Sequence, residues 1–183
     1  MFHSTVVGLI SDVSDSERSN VIRRLSGIVG VAMLVSLAAL GVSPAARADN
    51  KRLNDSVVAN VYTVQHQHGC SNNVTSDPQL RLAAQWHSDD LLANHALDGD
   101  IGSDGSTVQD RARAAGYLGV VSETVAINPA LAINGIDVLR QWFSRPDYLA
   151  TMSTCANTQI GVWSENSLDR SVVVAVYGQP RTS

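Results

Sequence analysis

From Lys51 to His66 the apolar residues Leu53, Val57, Val58, Val61 and Val64 recur at helical spacing, and residues 69–76 (GCSNNVTS) break the pattern. A first amphipathic helix is predicted there. Asp77-Pro78 then supplies a capping side chain followed by proline at the first helical position, and Leu80, Ala83, Ala84, Trp86, Leu91 and Leu92 give a buried face running to about Leu97. After a glycine-rich loop, Ser106 is expected to cap a short helix over 107–116 (TVQDRARAAG) that stops at Gly116. Residues 120–127 (VVSETVAI) are rich in β-branched side chains and read as a strand. Asn128-Pro129 repeats the cap-plus-proline signal for a helix carrying Leu131, Ile136, Leu139, Trp142 and Phe143, closed by Pro146. Two strands, 158–164 and 171–177, flank the hairpin turn 165–170 (ENSLDR).

Helices interleaved with a few strands and a terminal hairpin imply an α+β domain, a small and mainly antiparallel sheet between helical layers. The N-terminal part does not belong to that pattern. Arg23 and Arg24 precede an apolar run over 28–42 (IVGVAMLVSLAALGV), followed by Pro44 and Ala46-Arg47-Ala48. A positive flank, an apolar core and small residues at the exit predict a secretory signal cleaved after Ala48, and the run is shorter than the roughly 20 residues of a membrane span. Residues 1–20 are largely polar, and suit either an extended leader or an upstream start. The expected organisation is an extension and signal over 1–48 and one domain over 49–183, secreted or in the cell envelope, with no stable membrane span after cleavage.

The segment before Asp49 carries four of the 13 basic and three of the 17 acidic residues, so the remainder is net −5. That balance provides no electrostatic footprint for nucleic acid or an anionic membrane. The two cysteines of the chain are Cys70 and Cys155. Export places them where disulfides persist, and the single pairing would close most of the domain into one loop, a contribution of about 4–5 kcal/mol in chain-entropy terms.

Residues 98–106 (DGDIGSDGS) hold three aspartates and three glycines and resemble a calcium loop. Counted from Asp98, however, the fifth, sixth and twelfth positions are Gly102, Ser103 and Gln109, where a calcium loop needs an oxygen ligand, glycine and a bidentate glutamate. Calcium is excluded on spacing.

Taken in order, the first helix with Asn54 and Asn60, then AAQWHSDDLLANHAL, SDGSTVQDRARAAGY, SETVA, VLRQWFSRPDY, TQIGVWS and VVVAVYG resemble the CAP superfamily, the cysteine-rich secretory, antigen 5 and pathogenesis-related proteins, also called SCP domains, and in particular its bacterial secreted branch. The resemblance spans Leu53 to Gly178 and implies an α-β-α sandwich. It also implies a cleft in which relatives collect two histidines and one or two glutamates, a set suited to zinc. The first histidine precedes the aspartate of an Asp-Gly-Ser by four residues; against Asp104-Gly105-Ser106 that position is Asp100. The glutamate of the family's Gly-Glu-Asn is retained as Glu123 within Ser122-Glu123-Thr124. Tyr148 stands at the second histidine and Arg145 at the second glutamate.

The cleft candidates are therefore Asp100, Glu123 and Tyr148. One or two carboxylates and a phenol make a poor zinc site, so no metal or other cofactor is expected. His95 would serve as a ligand only if its loop entered the cleft by another path; its place at the end of the second helix predicts a surface position. His66 and His68 diverge on a helix end, and His87, followed by Ser88-Asp89-Asp90, is assigned to the solvated side of the second helix.

Three functions suit this pattern. The leading one is a non-catalytic extracellular binding module for a lipid or sterol, glycan or protein, the ligand types the resemblance implies. The second is a hydrolase or weak divalent-metal site using Glu123 and Asp100, for which no nucleophile with an adjacent base is visible. The third is a structural or antigenic exported protein, in which Glu123 is a buried carboxylate paired with Arg111 or Arg113.

Overall fold

The computed structural model describes residues 44–129 and 134–181, with side chains described from Asn50 onward. In chain order they form α1 (Pro44–Gln67), β1 (Thr75–Ser76), α2 (Pro78–Ala93), α3 (Val108–Ala114), β2 (Val120–Asn128), α4 (Gly135–Phe143), α5 (Pro146–Ser153), β3 (Gln159–Asn166) and β4 (Ser171–Gln179). The apolar run 28–42 and Leu131 lie outside the described residues. Helix α1 begins before the expected cleavage point at Ala48 and runs through it. Among the described residues no helix is long and apolar enough to cross a membrane.

The sheet has the order β1-β3-β4-β2, with β1 parallel to β3 and the other pairs antiparallel. Strand β4 lies in the interior, and its side chains alternate between two cores as the period of a strand requires. Val173, Ala175 and Tyr177 join Val57, Val61, Val138, Trp142 and Met152 on one face. Val172, Val174 and Val176 join Leu80, Ala83, Ala84, Leu91 and Ala112 on the other. A strand covered on both faces reads as an unbroken apolar run, which is why residues 172–177 show no alternation in sequence. The result is the expected α-β-α sandwich, with α1, α4 and α5 on one side and α2 and α3 on the other.

Local signals explain most boundaries. Asp77 accepts from the backbone N–H groups of Gln79 and Leu80, capping α2. Gly116, at φ 95°, takes the left-handed conformation that lets Tyr117 N–H return to Ala112 O, closing α3. Gly161 has a different reason: a Cβ there would lie 2.0 Å from Arg81 N, so β3 can pack against the α2 backbone only without a side chain. Asn50 pins the start of the described side chains to the far end of β3, its amide donating to Ser164 O while its own Oδ1 accepts from Asn166.

Four boundaries depart from expectation. Thr107, rather than Ser106, caps α3, in a reciprocal capping box with Asp110. Helix α2 stops at Ala93, short of Leu97. Asn128 ends β2, and α4 starts at Gly135 under an Asn134 cap rather than at Pro129. Pro146 does not merely close α4; it opens α5, an eight-residue helix absent from the sequence reading. The Arg145-Pro146 signal was the same as Asp77-Pro78, but without a capping side chain. Cys70, just past α1, is bridged to Cys155, ahead of β3, with Cα atoms 5.3 Å apart.

Candidate functional site

Helix α2 presents Leu80, Ala83, Ala84, His87 and Leu91 to the sheet, and His87 is fully buried. Its assignment to the solvated side of the helix is corrected: position 87 continues the apolar stripe at helical spacing, and the polar Ser88-Asp89-Asp90 that follow disguise it. His87 Nδ1 lies 3.0 Å from Glu123 Oε1. Arg111, on α3, approaches the same carboxylate from the other side, its Nη2 lying 2.7 Å from Glu123 Oε2. All three side chains are buried.

The hydrogens can be assigned by counting. Arg111 Nη2 has two, and lies 2.7 Å from Glu123 Oε2, 2.9 Å from Asp100 O and 3.1 Å from His87 Nδ1. The two oxygens take them, so His87 carries its proton on Nδ1 and donates to Glu123 Oε1. His87 Nε2 is then a bare acceptor, buried with no partner among the described residues, and the donor Arg111 Nε likewise has none among them. Arg111 Nη1 donates to Ser106 O at 2.8 Å, tying the start of α3 to the same guanidinium.

The aspartate-rich loop fits around this pair. Asp90 accepts from the amide and hydroxyl of Ser103, at 2.7 and 2.6 Å, and Asp104 accepts from Ser106 N–H at 2.8 Å. Ser103 and Ser106 are thus turn formers. Burial pushes the Asp90 carboxyl up, but hydrogen bonds from Ser103 and Asn94 outweigh it and hold the group below the usual carboxylate range. The hydrogen bonds from Ser106 lower Asp104 in the same way.

Asp100, turned inward by this loop, gives its carbonyl to Arg111 and its Oδ1 to the Tyr148 hydroxyl at 2.9 Å. Tyr148 comes from α5, on the opposite side of the sheet, so the two layers join around the outer strand β2. Burial, and then the Asp100 carboxylate beside it, push the Tyr148 hydroxyl far above its ordinary pKa. The guanidinium of Arg145 stacks 3.7 Å over the Tyr148 ring while pairing with Asp147 at 2.6 Å. Asp100, Glu123 and Tyr148 therefore belong to one hydrogen-bonded chain, with Arg111 as the link between Asp100 and Glu123.

These residues do not fit a divalent metal. Both Glu123 oxygens already accept from buried donors, Asp100 Oδ1 accepts from Tyr148, and Arg145 is a cation. Among the described residues no group of three or more His, Cys, Asp or Glu side chains is placed to hold a metal ion. His95 is exposed, its Nδ1 4.0 Å from Asp169 Oδ2. His66 lies against the Tyr62 ring, and His68 Nδ1 bonds to Val64 O, so both are occupied at the end of α1.

A cleft of about 620 Å3 adjoins this network, its residues including Leu97, Asp98, Val125, Ile127, Arg145 and Arg170. Val125 is two residues beyond Glu123 on β2, and Arg145 is the residue stacked on Tyr148. None of Asp100, Glu123 or Tyr148 lines it. The sequence reading missed two side chains that matter here. His87 was legible from its helical spacing. Arg170 had no such signal, since it ends the four-residue turn between β3 and β4, where Ser167 N–H donates to its carbonyl at 2.7 Å.

The cysteine-rich secretory protein (CAP) family model matches residues 17–177. No curated protein matches the chain. Among solved structures, an outer surface protein of Borrelia burgdorferi superposes with a TM-score of 0.62 at 14% identity, covering 72% of this chain and 96% of that one. An extracellular SCP-domain protein of Bacillus anthracis gives 0.59 at 14% identity, over 77% of this chain and 45% of that one. A cysteine-rich secretory protein of Staphylococcus aureus gives 0.51 at 9% identity, over 71% and 39%. The chain thus spans under half of the last two proteins, and at these identities the likeness is one of fold. With the family model covering nearly all of the domain, the chain belongs to the CAP family of cysteine-rich secretory proteins.

Proposed function

We propose that this protein is an exported, non-catalytic binding module whose ligand occupies the cleft beside the His87–Arg111–Glu123 network. One observation carries the reading: both oxygens of Glu123 are consumed by buried donors, while the adjoining cleft of about 620 Å3 lies in the size range of small-molecule sites. A carboxylate enclosed in this way is poorly suited to act as general base or metal ligand, so hydrolysis through Glu123 and Asp100 is not favoured. Asp100, Glu123 and Tyr148 instead form the frame that holds the cleft wall in place.

Export is supported by the leader-like residues 23–48, by the Cys70–Cys155 bridge and by the outer-surface, extracellular and secretory character of the structural relatives. Cleavage after Ala48 would leave Asn50 second in the mature chain, already anchored to Ser164 and Asn166. Native mass spectrometry of the protein collected from its own culture medium tests the binding reading, and a co-purified small molecule released on denaturation is expected. Calorimetric titration with zinc tests the rest: sub-micromolar binding that disappears in Glu123→Ala would contradict it.

A further inference from the structure

We propose that Arg170 is the seat for an anionic head group, and that the cleft takes an organic anion with an apolar body. The inference rests on the binding-module reading and specifies the ligand's chemistry. Arg170 is 7% exposed, yet among the described residues no carboxylate lies within ion-pair distance of it. Its Nη2 donates to Leu97 O at 2.6 Å, and its Nε is buried with no partner among the described residues. A guanidinium withdrawn from water and given one neutral acceptor is an expensive arrangement unless a counter-ion completes it. The side chain lines the cleft, so a ligand entering there can supply that charge.

The other charges on the cleft do not already do so. Asp169, the sequence neighbour of Arg170, is exposed, accepts from Ser167 Oγ at 2.6 Å and feels Arg170 only as the smallest influence on its carboxyl, after Ser167 and His95. Asp98 is exposed, and Arg145 is paired with its own Asp147. Solvated rim charges interact weakly through water, whereas a charge brought against the buried guanidinium does not share that screening. Leu97, Val125, Ile127 and Pro129 line the same cleft and offer an apolar wall for the remainder of the ligand.

Calorimetry on the full chain with three probes tests this: nonanoate, octyl phosphate and 1-octanol, with the same octyl tail and different heads. At least one anion is expected to bind about tenfold or more tightly than octanol, the value of a charge-assisted hydrogen bond, and the tighter anion distinguishes a carboxylate from a phosphate head. In Arg170→Gln, with folding verified by circular dichroism, the preference for the anion is expected to vanish while octanol binding remains. Equal affinity of the wild-type protein for all three probes would overturn the anion seat and leave the binding module standing. No binding of any probe would count against both, and an anion preference surviving in Arg170→Gln would place the seat elsewhere. The wild-type comparison decides the matter even if the variant fails to fold.

Discussion

Arg111 and Arg170 are almost equally withdrawn from solvent, at 6% and 7% exposure, but their surroundings differ in kind. Arg111 meets a carboxylate at 2.7 Å, two carbonyls and a hydroxyl, so its charge and most of its donors are matched inside the fold. Arg170 has a single carbonyl and, among the described residues, no carboxylate within ion-pair distance; a buried Nε without a partner among those residues is common to both arginines. The first is a structural centre closing α2, α3 and β2 around one another. The second is a charge left open on a cleft. The difference teaches that burial of a cation does not by itself indicate its role; the balance of its partners does.

The largest effect should come from making Arg111 resemble Arg170. Glu123→Ala leaves Arg111 buried without its counter-ion, and a loss of about 3–5 kcal/mol in urea denaturation is expected. A smaller loss should follow His87→Leu, which removes the donor to Glu123 Oε1 and costs about 1–3 kcal/mol by leaving that acceptor unmatched. The reverse change acts on the other arginine: Gln141→Glu places a carboxylate on the wall of the cleft. Nonanoate binding should weaken about tenfold, with stability altered by no more than about 1 kcal/mol.

The smallest effect is one of pH. Asp90 and Asp104 have carboxyls held below their ordinary range in the folded state, so their contribution is present above the unfolded pKa of about 4 and is lost as pH falls through the lowered folded values. The protection of the Ser103 and Ser106 amides from exchange, relative to their intrinsic rates, should therefore fall at acid pH before the sheet opens. Protection unchanged down to the point of global unfolding would show that the loop does not depend on these carboxylates.

Much of this fold was legible because periodicity and caps are local. The Leu80, Ala83, Ala84, Leu91 stripe, the Asp77-Pro78 start and the Gly116 stop all act within a few residues of themselves. The same stripe included His87, and the polar residues after it drew the reading to the wrong face. Helix α5 was hidden because Pro146 ends one helix and starts another, and Arg145 contributes no side-chain cap. Carrying the family's positions onto Asp100, Glu123 and Tyr148 identified residues of one network. The pairing of Glu123 with Arg111, 12 positions away, was among the readings of the sequence, whereas its pairing with His87, 36 positions away, and that of Asp100 with Tyr148 were not. Arg170 is the extreme case. Its burial depends on the α2–α3 loop, more than 70 residues earlier, folding over a short turn.

The distinction between the two arginines can be measured directly by replacing each with methionine, which keeps much of the aliphatic length and removes the charge, and comparing the two variants with the parent in urea. Arg111→Met should lose about 3–5 kcal/mol, because Glu123 is stranded, whereas Arg170→Met should be within about 1 kcal/mol of the parent or more stable, because the one internal bond lost, to Leu97 O, is offset by removing a buried charge that has no internal counter-ion. Equal and large losses in both would mean that Arg170 is as structural as Arg111, and would contradict the assignment of the cleft to an anionic ligand.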